Sequence, residues 1–255
     1  MSKYSIKKIK SFYDDEKKEK DSRLPFFHKK IIRPLSFILT PPFLFFRFSA
    51  NQVTCLALVC GILGNLNLTL GTYRSMSMGV LLILIAIILD FVDGNIARFY
   101  QKPNYFGAFL DGSFGFLLHA LLPLCLSIGI SMKLDNSAFY FLSEKKIIIL
   151  GSTLSMMYMF SNYLQWRYKA QLFIVKEEAL NSGINRNPVK SKIPSTTLRS
   201  FMLYIIRYLK ILNQEIFIPA LALILLKMPL ISFMILIYLY TSGFALTSSI
   251  IFARA

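Results

Sequence analysis

The feature that most constrains this chain is a series of apolar runs, each near the length of a membrane-spanning helix, separated by polar or basic stretches. They cover roughly 53–70, 76–98, 106–132, 146–164, 199–226 and 230–252. A helix of about 20 apolar residues crosses the hydrocarbon of a bilayer. Helices satisfy their own backbone groups in lipid, and runs of this kind show no strand-like alternation. The expected fold is therefore all-α, a polytopic membrane protein with six transmembrane helices. The chain has 255 residues, of which 55% are hydrophobic and only 16% charged. So much apolar surface excludes both a water-soluble enzyme and a disordered chain.

The fifth run is interrupted by Arg207, Lys210 and Glu215. It is expected to start in the interface and to enter lipid near Ile216. Residues 31–49 are also apolar, but Arg33, Pro34, Pro41, Pro42 and Arg47 break them. That stretch reads as an interfacial amphipathic helix with its cations toward lipid headgroups. Residues 1–50 are thus expected to form a cytoplasmic basic arm and this helix, and residues 51–255 the six-helix membrane domain. No apolar core follows the basic arm at signal-peptide distance, so no cleaved leader is expected. Cys55, Cys60 and Cys125 are odd in number and lie in apolar runs. They read as buried hydrophobes, not as a disulfide or zinc set.

Lys and Arg number 29 against 13 Asp and Glu, a net charge of +16. On a soluble domain such an excess would suggest nucleic acid. Here the cations flank membrane segments, so membrane lipids are the expected partner and nucleic acid is not. With the N-terminus in the cytoplasm, 24 cations fall on the cytoplasmic side and 5 outside. That bias places both termini in the cytoplasm. The polar stretch 171–199, with Gly183, Pro188 and Pro194, reads as a long cytoplasmic loop.

Three acids interrupt the second and third runs: Asp90, Asp93 and Asp111. An ionisable group in a membrane helix is costly and points to function. One alone would serve as a structural hydrogen-bond partner or a proton relay; three clustered carboxylates ask for more. At about 100° per residue, Asp90, Asp93, Gly94 and Ala97 fall within a stripe of about 100°. On the next run Gly107, Asp111 and Gly115 recur every fourth residue and drift only about 40° per step. Carboxylates at this density need a cation, and hard oxygen ligands suit Mg²⁺, Mn²⁺ or Ca²⁺ rather than zinc. Gly94, Ala97 and Gly107 leave room for a bulky ligand, such as a nucleotide whose phosphates meet the metal. A short connection joins the two runs at their cytoplasmic ends. The two acidic stripes are therefore expected to face each other just below the cytoplasmic surface.

In order, these residues read Asp90-Phe-Val-Asp93-Gly94-Asn-Ile-Ala97-Arg98, then eight residues, then Gly107-Ala-Phe-Leu-Asp111-Gly-Ser-Phe-Gly115. The pattern closely resembles the signature of the CDP-alcohol phosphotransferase family: two Asp three apart, Gly, Ala-Arg, eight residues, Gly, and two Asp four apart. Ser49-Ala-Asn51-Gln-Val53-Thr54, which opens the first run, extends the resemblance more loosely. The resemblance implies transfer of a phosphatidyl or phosphoalcohol group from a CDP-linked donor to an acceptor hydroxyl, with release of CMP, in phospholipid or glycolipid synthesis. The donor would be CDP-diacylglycerol or a CDP-alcohol, and the acceptor a polyol, a phosphorylated polyol or a lipid. The resemblance also implies Mg²⁺ or Mn²⁺, two ions in the family, on Asp90, Asp93 and Asp111. Gly94, Ala97, Arg98 and Gly107 would line the CDP site, with Asn51 and Thr54 near the same pocket. Helix capping is the plainer reading of that last pair. Family members are commonly dimers, so a homodimer is implied too.

The family's fourth Asp would stand at position 115, where this chain has Gly115. In the family that residue is thought to act as general base and to help hold a metal, and glycine does neither. Four accounts stand open. His119, one turn deeper, is a substitute base or simply a packing histidine. The acceptor arrives already ionised. The protein is an inactive homologue. Or the position carries a deliberate Asp-to-Gly change. The basic, hydroxyl-rich stretch holding Lys190, Lys192 and Arg199 is similar to one in members with phosphorylated polyol acceptors. It suggests acceptor binding, while the ordinary cationic bias of a cytoplasmic loop explains it as simply. Two functions of other classes compete: a non-catalytic CDP-binding homologue, and a cation or proton-coupled transporter. A transporter would place its acids near mid-membrane on broken helices rather than at cytoplasmic ends.

Overall fold

The computed structural model describes residues 5–12, 24–100, 105–132, 143–181 and 216–252. Among the described residues all regular structure is helical. In chain order the helices are α1 (Ile6–Ser11), α2 (Arg33–Phe45), α3 (Ala50–Thr69), α4 (Tyr73–Tyr100), α5 (Tyr105–Ser131), α6 (Glu144–Asn181), α7 (Ile216–Leu225) and α8 (Pro229–Phe252). A π-helical turn, His28–Ile32, leads into α2. Helices α3, α4, α6 and α8 contain stretches long and apolar enough to cross a bilayer, which makes this a multi-pass membrane protein. Helix α5 is apolar over Gly115–Ser131, and α7 is the described part of the fifth expected span.

The expected loop at 171–199 is corrected in its first part, because α6 continues as helix to Asn181. The reason is local. Ala170, Gln171, Leu172, Lys176, Glu177, Glu178, Ala179 and Leu180 are good helix formers, and no Gly or Pro intervenes before Gly183. At 1.5 Å per residue, a helix of this length spans about 57 Å, well beyond a hydrocarbon core of about 30 Å.

Helix α3 lies between α4 and α5 and packs along both. It approaches α4 closely at Gly64 and Gly79. A Cβ added at Gly64 would stand 2.8 Å from the Gly79 carbonyl oxygen, and one at Gly79 would stand 2.6 Å from that of Gly64. Only glycine at both points lets the backbones come so near, the usual device where lipid gives no hydrophobic drive between helices. Helix α6 packs on both α5 and α8. At the end of the bundle opposite Asp90, one apolar cluster buries Leu68, Val80, Leu126, Leu221 and Leu236. A second cluster, beside the acids, joins Val53, Leu89 and Ile96 to Leu44 of α2 and Ile9 of α1. Ile9 is only 1% exposed, so part of the basic arm is docked on the membrane helices.

Two local devices aim α3 at its neighbours. The turn after α2 closes with Arg47 in the left-handed region (φ 59°), and the Phe48 N–H donates to the Phe43 carbonyl at 2.9 Å. Ser49 and Gln52 then cap α3 reciprocally. The Ser49 hydroxyl accepts from the Gln52 N–H at 3.3 Å, and Gln52 Oε1 accepts from the Ser49 N–H at 2.9 Å.

Helix α2 is oriented differently from the interfacial reading. Its inward face is polar: Arg33, Ser36 and Thr40 are buried there with Leu44. Its exposed face carries Leu35, Ile38, Leu39 and Phe45. Arg47 is exposed, but Arg33 turns into the protein instead of toward headgroups, because α4 supplies a hydrogen-bonding partner for it.

Candidate active site

The acids stand near the C-terminal end of α4. Asp90 and Asp93 are three residues apart, so they share one helix face with Cβ atoms about 5–6 Å apart. Asp90 is exposed, whereas Asp93 is 6% exposed. Thr54, one turn into α3, donates from its hydroxyl to Asp93 Oδ2 at 2.6 Å. A charge-assisted hydrogen bond of this length holds the buried carboxylate in one orientation. Capping of α3 belongs to Ser49, and the Thr54 hydroxyl lies closer to Asp93 of α4 than to the Ala50 carbonyl of its own helix, which is 3.0 Å away.

A cavity of about 880 Å³ opens beside these groups. Its walls include Thr54 and Asn65 of α3, Asp90 and Phe91 of α4, Gly115 and His119 of α5, Tyr158 and Gln165 of α6, and Tyr240 and Thr247 of α8. That volume suits a nucleotide-sized ligand. Helices α4 and α5 both pack along α3, and both border this chamber.

The α5 wall is open at Gly115. Among the described residues, leaving out its chain neighbours and its own helix backbone, no atom lies within 4 Å of where a Cβ there would stand, and the same holds at Gly112. The His119 ring is tied to its own helix, with Nδ1 2.8 Å from the Gly115 carbonyl oxygen. A carbonyl only accepts, so Nδ1 carries the hydrogen and Nε2 holds the lone pair of the neutral ring. The ring stacks on Phe217 at 5.1 Å and on Tyr158 at 6.0 Å, and the Tyr240 hydroxyl donates to the His119 carbonyl at 2.5 Å.

Sequence reasoning missed a buried polar cluster behind the acids. Asn95 of α4 is 1% exposed and meets Arg33, Ser36 and Thr40 of α2 as well as Arg98. Burial and the neighbouring Arg98 guanidinium bring Arg33 below its ordinary range, to about 9, which leaves it charged at neutral pH. The signal was present in the sequence: 33, 36 and 40 are polar at helical spacing within an apolar stretch.

The remaining expected residues divide as follows. Gly94, Ala97 and Arg98 are half-buried on the last turns of α4, and they are absent from the cavity wall. Asn51 and Gly107 are half-buried in the first turns of α3 and α5. Asp111 lies on α5, but its side chain is outside the described set, as are Lys190, Lys192 and Arg199 altogether. Among the described side chains no three His, Cys, Asp or Glu converge as a metal-binding set. Cys125 is buried and Cys60 half-buried, but Cys55 is exposed on α3, against the expectation that all three are buried.

Compared with known families, residues 47–254 match the model of the CDP-alcohol phosphatidyltransferases. The chain belongs to that family. The match covers α3 to α8 and begins at the turn that aims α3. The family is one of transferases of phosphate-containing groups, and it implies a CDP-alcohol donor and an alcohol acceptor. No curated protein sequence matches the chain.

Proposed function

We propose that this phosphatidyltransferase-family protein moves a phosphatidyl or phosphoalcohol group from a CDP-linked donor to an acceptor hydroxyl at the cytoplasmic end of α4, releasing CMP. The observation that carries the reading is the pairing of Asp93, oriented by Thr54, with Asp90 on the wall of a nucleotide-sized cavity. The donor set fits a hard divalent cation: two carboxylates on one helix face, one of them already fixed by a hydroxyl, with Asp111 as the third candidate ligand. Mg²⁺ or Mn²⁺ bound there would neutralise the charge that develops on the phosphates.

The chain's own residues account for the rest. Arg98 adds a positive charge for the donor diphosphate, and Gly94 leaves room for its guanidinium to fold back along α4. The acceptor oxygen attacks the β-phosphorus; the bond from that phosphorus to the bridging oxygen breaks, and CMP leaves with the electron pair. The acceptor proton goes to His119 Nε2, or it is already gone because the acceptor arrives ionised. Gln165 and Thr247, hydrogen-bonded to each other at 3.1 Å, give the same cavity a polar lining that an acceptor's hydroxyls would meet. Lys190, Lys192 and Arg199 would add acceptor contacts from the cytoplasmic segment.

A second reading is favoured by the open space at Gly115. Without the carboxylate that the family has there, the protein is a catalytically impaired CDP-binding homologue. One assay separates the two. Purified protein with Mg²⁺ or Mn²⁺ is offered CDP-diacylglycerol and a panel of CDP-alcohols, and CMP is measured. Release that vanishes in Asp90→Asn and Asp111→Asn supports the transferase. Metal-dependent CDP binding without CMP release supports the impaired homologue, and neither binding nor release would sink both.

A further inference from the structure

We infer that Asn95 positions Arg98, and that Arg33, Ser36 and Thr40 of α2 act through this amide as positioning residues for the CDP-linked donor. The inference rests on the reading of Arg98 as a diphosphate contact. Asn95 Oδ1 accepts from Arg33 Nη1 at 3.2 Å and from Arg98 Nη2 at 3.1 Å. Its Nδ2 donates to Ser36 Oγ at 3.3 Å and to Thr40 Oγ1 at 3.0 Å. A primary amide has two lone pairs and two N–H groups, so all its hydrogen-bonding capacity is used.

The directions are forced by chemistry. Guanidinium groups only donate, so the amide oxygen must face them. The Ser36 hydroxyl places its hydrogen on the Arg33 carbonyl at 2.8 Å, and that of Thr40 lies on the Ser36 carbonyl at 2.6 Å. Both hydroxyls therefore keep lone pairs for the amide N–H groups. All of this is sealed: Ser36 and Thr40 are 0% exposed, and Arg33 is 6% exposed.

The tether acts on Arg98 at a defined place. A Cβ at Gly94 would stand 3.1 Å from Arg98 Nη2, so the guanidinium folds back over the glycine while Asn95 holds it. A long side chain held in advance loses less freedom when its ligand arrives. Arg33 is fixed in turn, between the rings of Phe37 and Phe91 at 5.0 and 5.2 Å. Phe91 borders the cavity next to Asp90, so α2 reaches the site by contact as well as by hydrogen bonds. Two guanidinium groups on one oxygen also concentrate positive charge where a diphosphate would bind.

The test uses the full chain in detergent micelles, with CDP plus Mg²⁺ as probe and the thermal midpoint measured in parallel. Arg98→Ala sets the scale and is expected to weaken CDP binding by about tenfold or more, the loss of a charged hydrogen bond. Asn95→Leu is expected to weaken it by about threefold to tenfold, and Asn95→Asp, which keeps the oxygen both arginines use, by less. The double variant Asn95→Leu with Arg98→Ala should bind no worse than Arg98→Ala alone, because Asn95 acts through that arginine. Additive losses would mean a merely structural amide and would overturn the inference. So would a loss in Arg98→Ala with none in Asn95→Leu. Unchanged binding in Arg98→Ala would instead overturn the placement of Arg98 at the nucleotide, and the inference with it. Should Asn95→Leu fail to fold, Ser36→Ala with Thr40→Val removes both acceptors of the amide N–H groups and carries the same test: weakened CDP binding supports the tether, and wild-type binding overturns it.

Discussion

The two walls of the cavity are built unlike each other. On the α3–α4 side, polar groups behind the wall are tied to partners: Asp93 to Thr54 and Asn95 to α2, both across helices, and Asn95 to Arg98 within α4. On the α5 wall Gly115 leaves open space, and His119 bonds back to its own helix. The difference separates two tasks. Holding a diphosphate needs charges fixed in advance, and the first wall has them. Taking a proton from an acceptor needs a base aimed at a reacting atom, and the second wall offers a gap at Gly115 beside a histidine tied to its own helix. Binding should therefore depend on the first wall and turnover on the second.

That contrast can be broken by substitution. Asp90→Asn should weaken Mg²⁺-dependent CDP binding by more than about 100-fold, a larger loss than removing a residue that merely orients a ligand. Calorimetry checks it, and binding within a few-fold of wild type would remove α4 from the site. Thr54→Val should cost about 10- to 100-fold in metal affinity, since it removes one hydrogen bond that orients the Asp93 carboxylate; a Mn²⁺ titration reads this directly. Gly115→Asp should raise CMP release at least about tenfold, because a positioned base contributes at least that much, and should leave CDP binding little changed. Equal effects on both would erase the division between the walls. The smallest change is expected from His119→Gln, less than about tenfold in CMP release, as the ring is stacked and tied within its helix. A fall of about 10²-fold or more would assign the acceptor proton to the imidazole.

Much of the C-terminal end of α4 was legible in the sequence because its determinants are local. Asp90, Asp93, Gly94 and Arg98 lie within three turns of one helix, and helical periodicity alone puts them on one side. The capping pair Ser49 and Gln52 is equally local, and it decides what Thr54 does not have to do. The α2 contribution was not legible in the same way. Arg33, Ser36 and Thr40 meet Asn95 across 62, 59 and 55 residues, a separation over which periodicity carries no information. Arg33 was assigned to headgroups because a cation in an apolar stretch is usually at an interface. A buried amide with spare acceptor capacity reversed that preference. The extension of α6 to Asn181 was missed for a different reason: polarity was taken as loop, although the residues are helix formers.

The chain alone determined that the protein is a bundle of long apolar helices with acids at one end of the second. Both follow from solvation: twenty apolar residues cannot stay in water, and carboxylates inside lipid need a cation or a donor. Which helix would lie between the acid-bearing pair, and which wall would be tied or open, only the tertiary structure decided. Close approach at Gly64 and Gly79, and the hydrogen bonds made to Asp93 and Asn95, depend on which backbones meet in three dimensions.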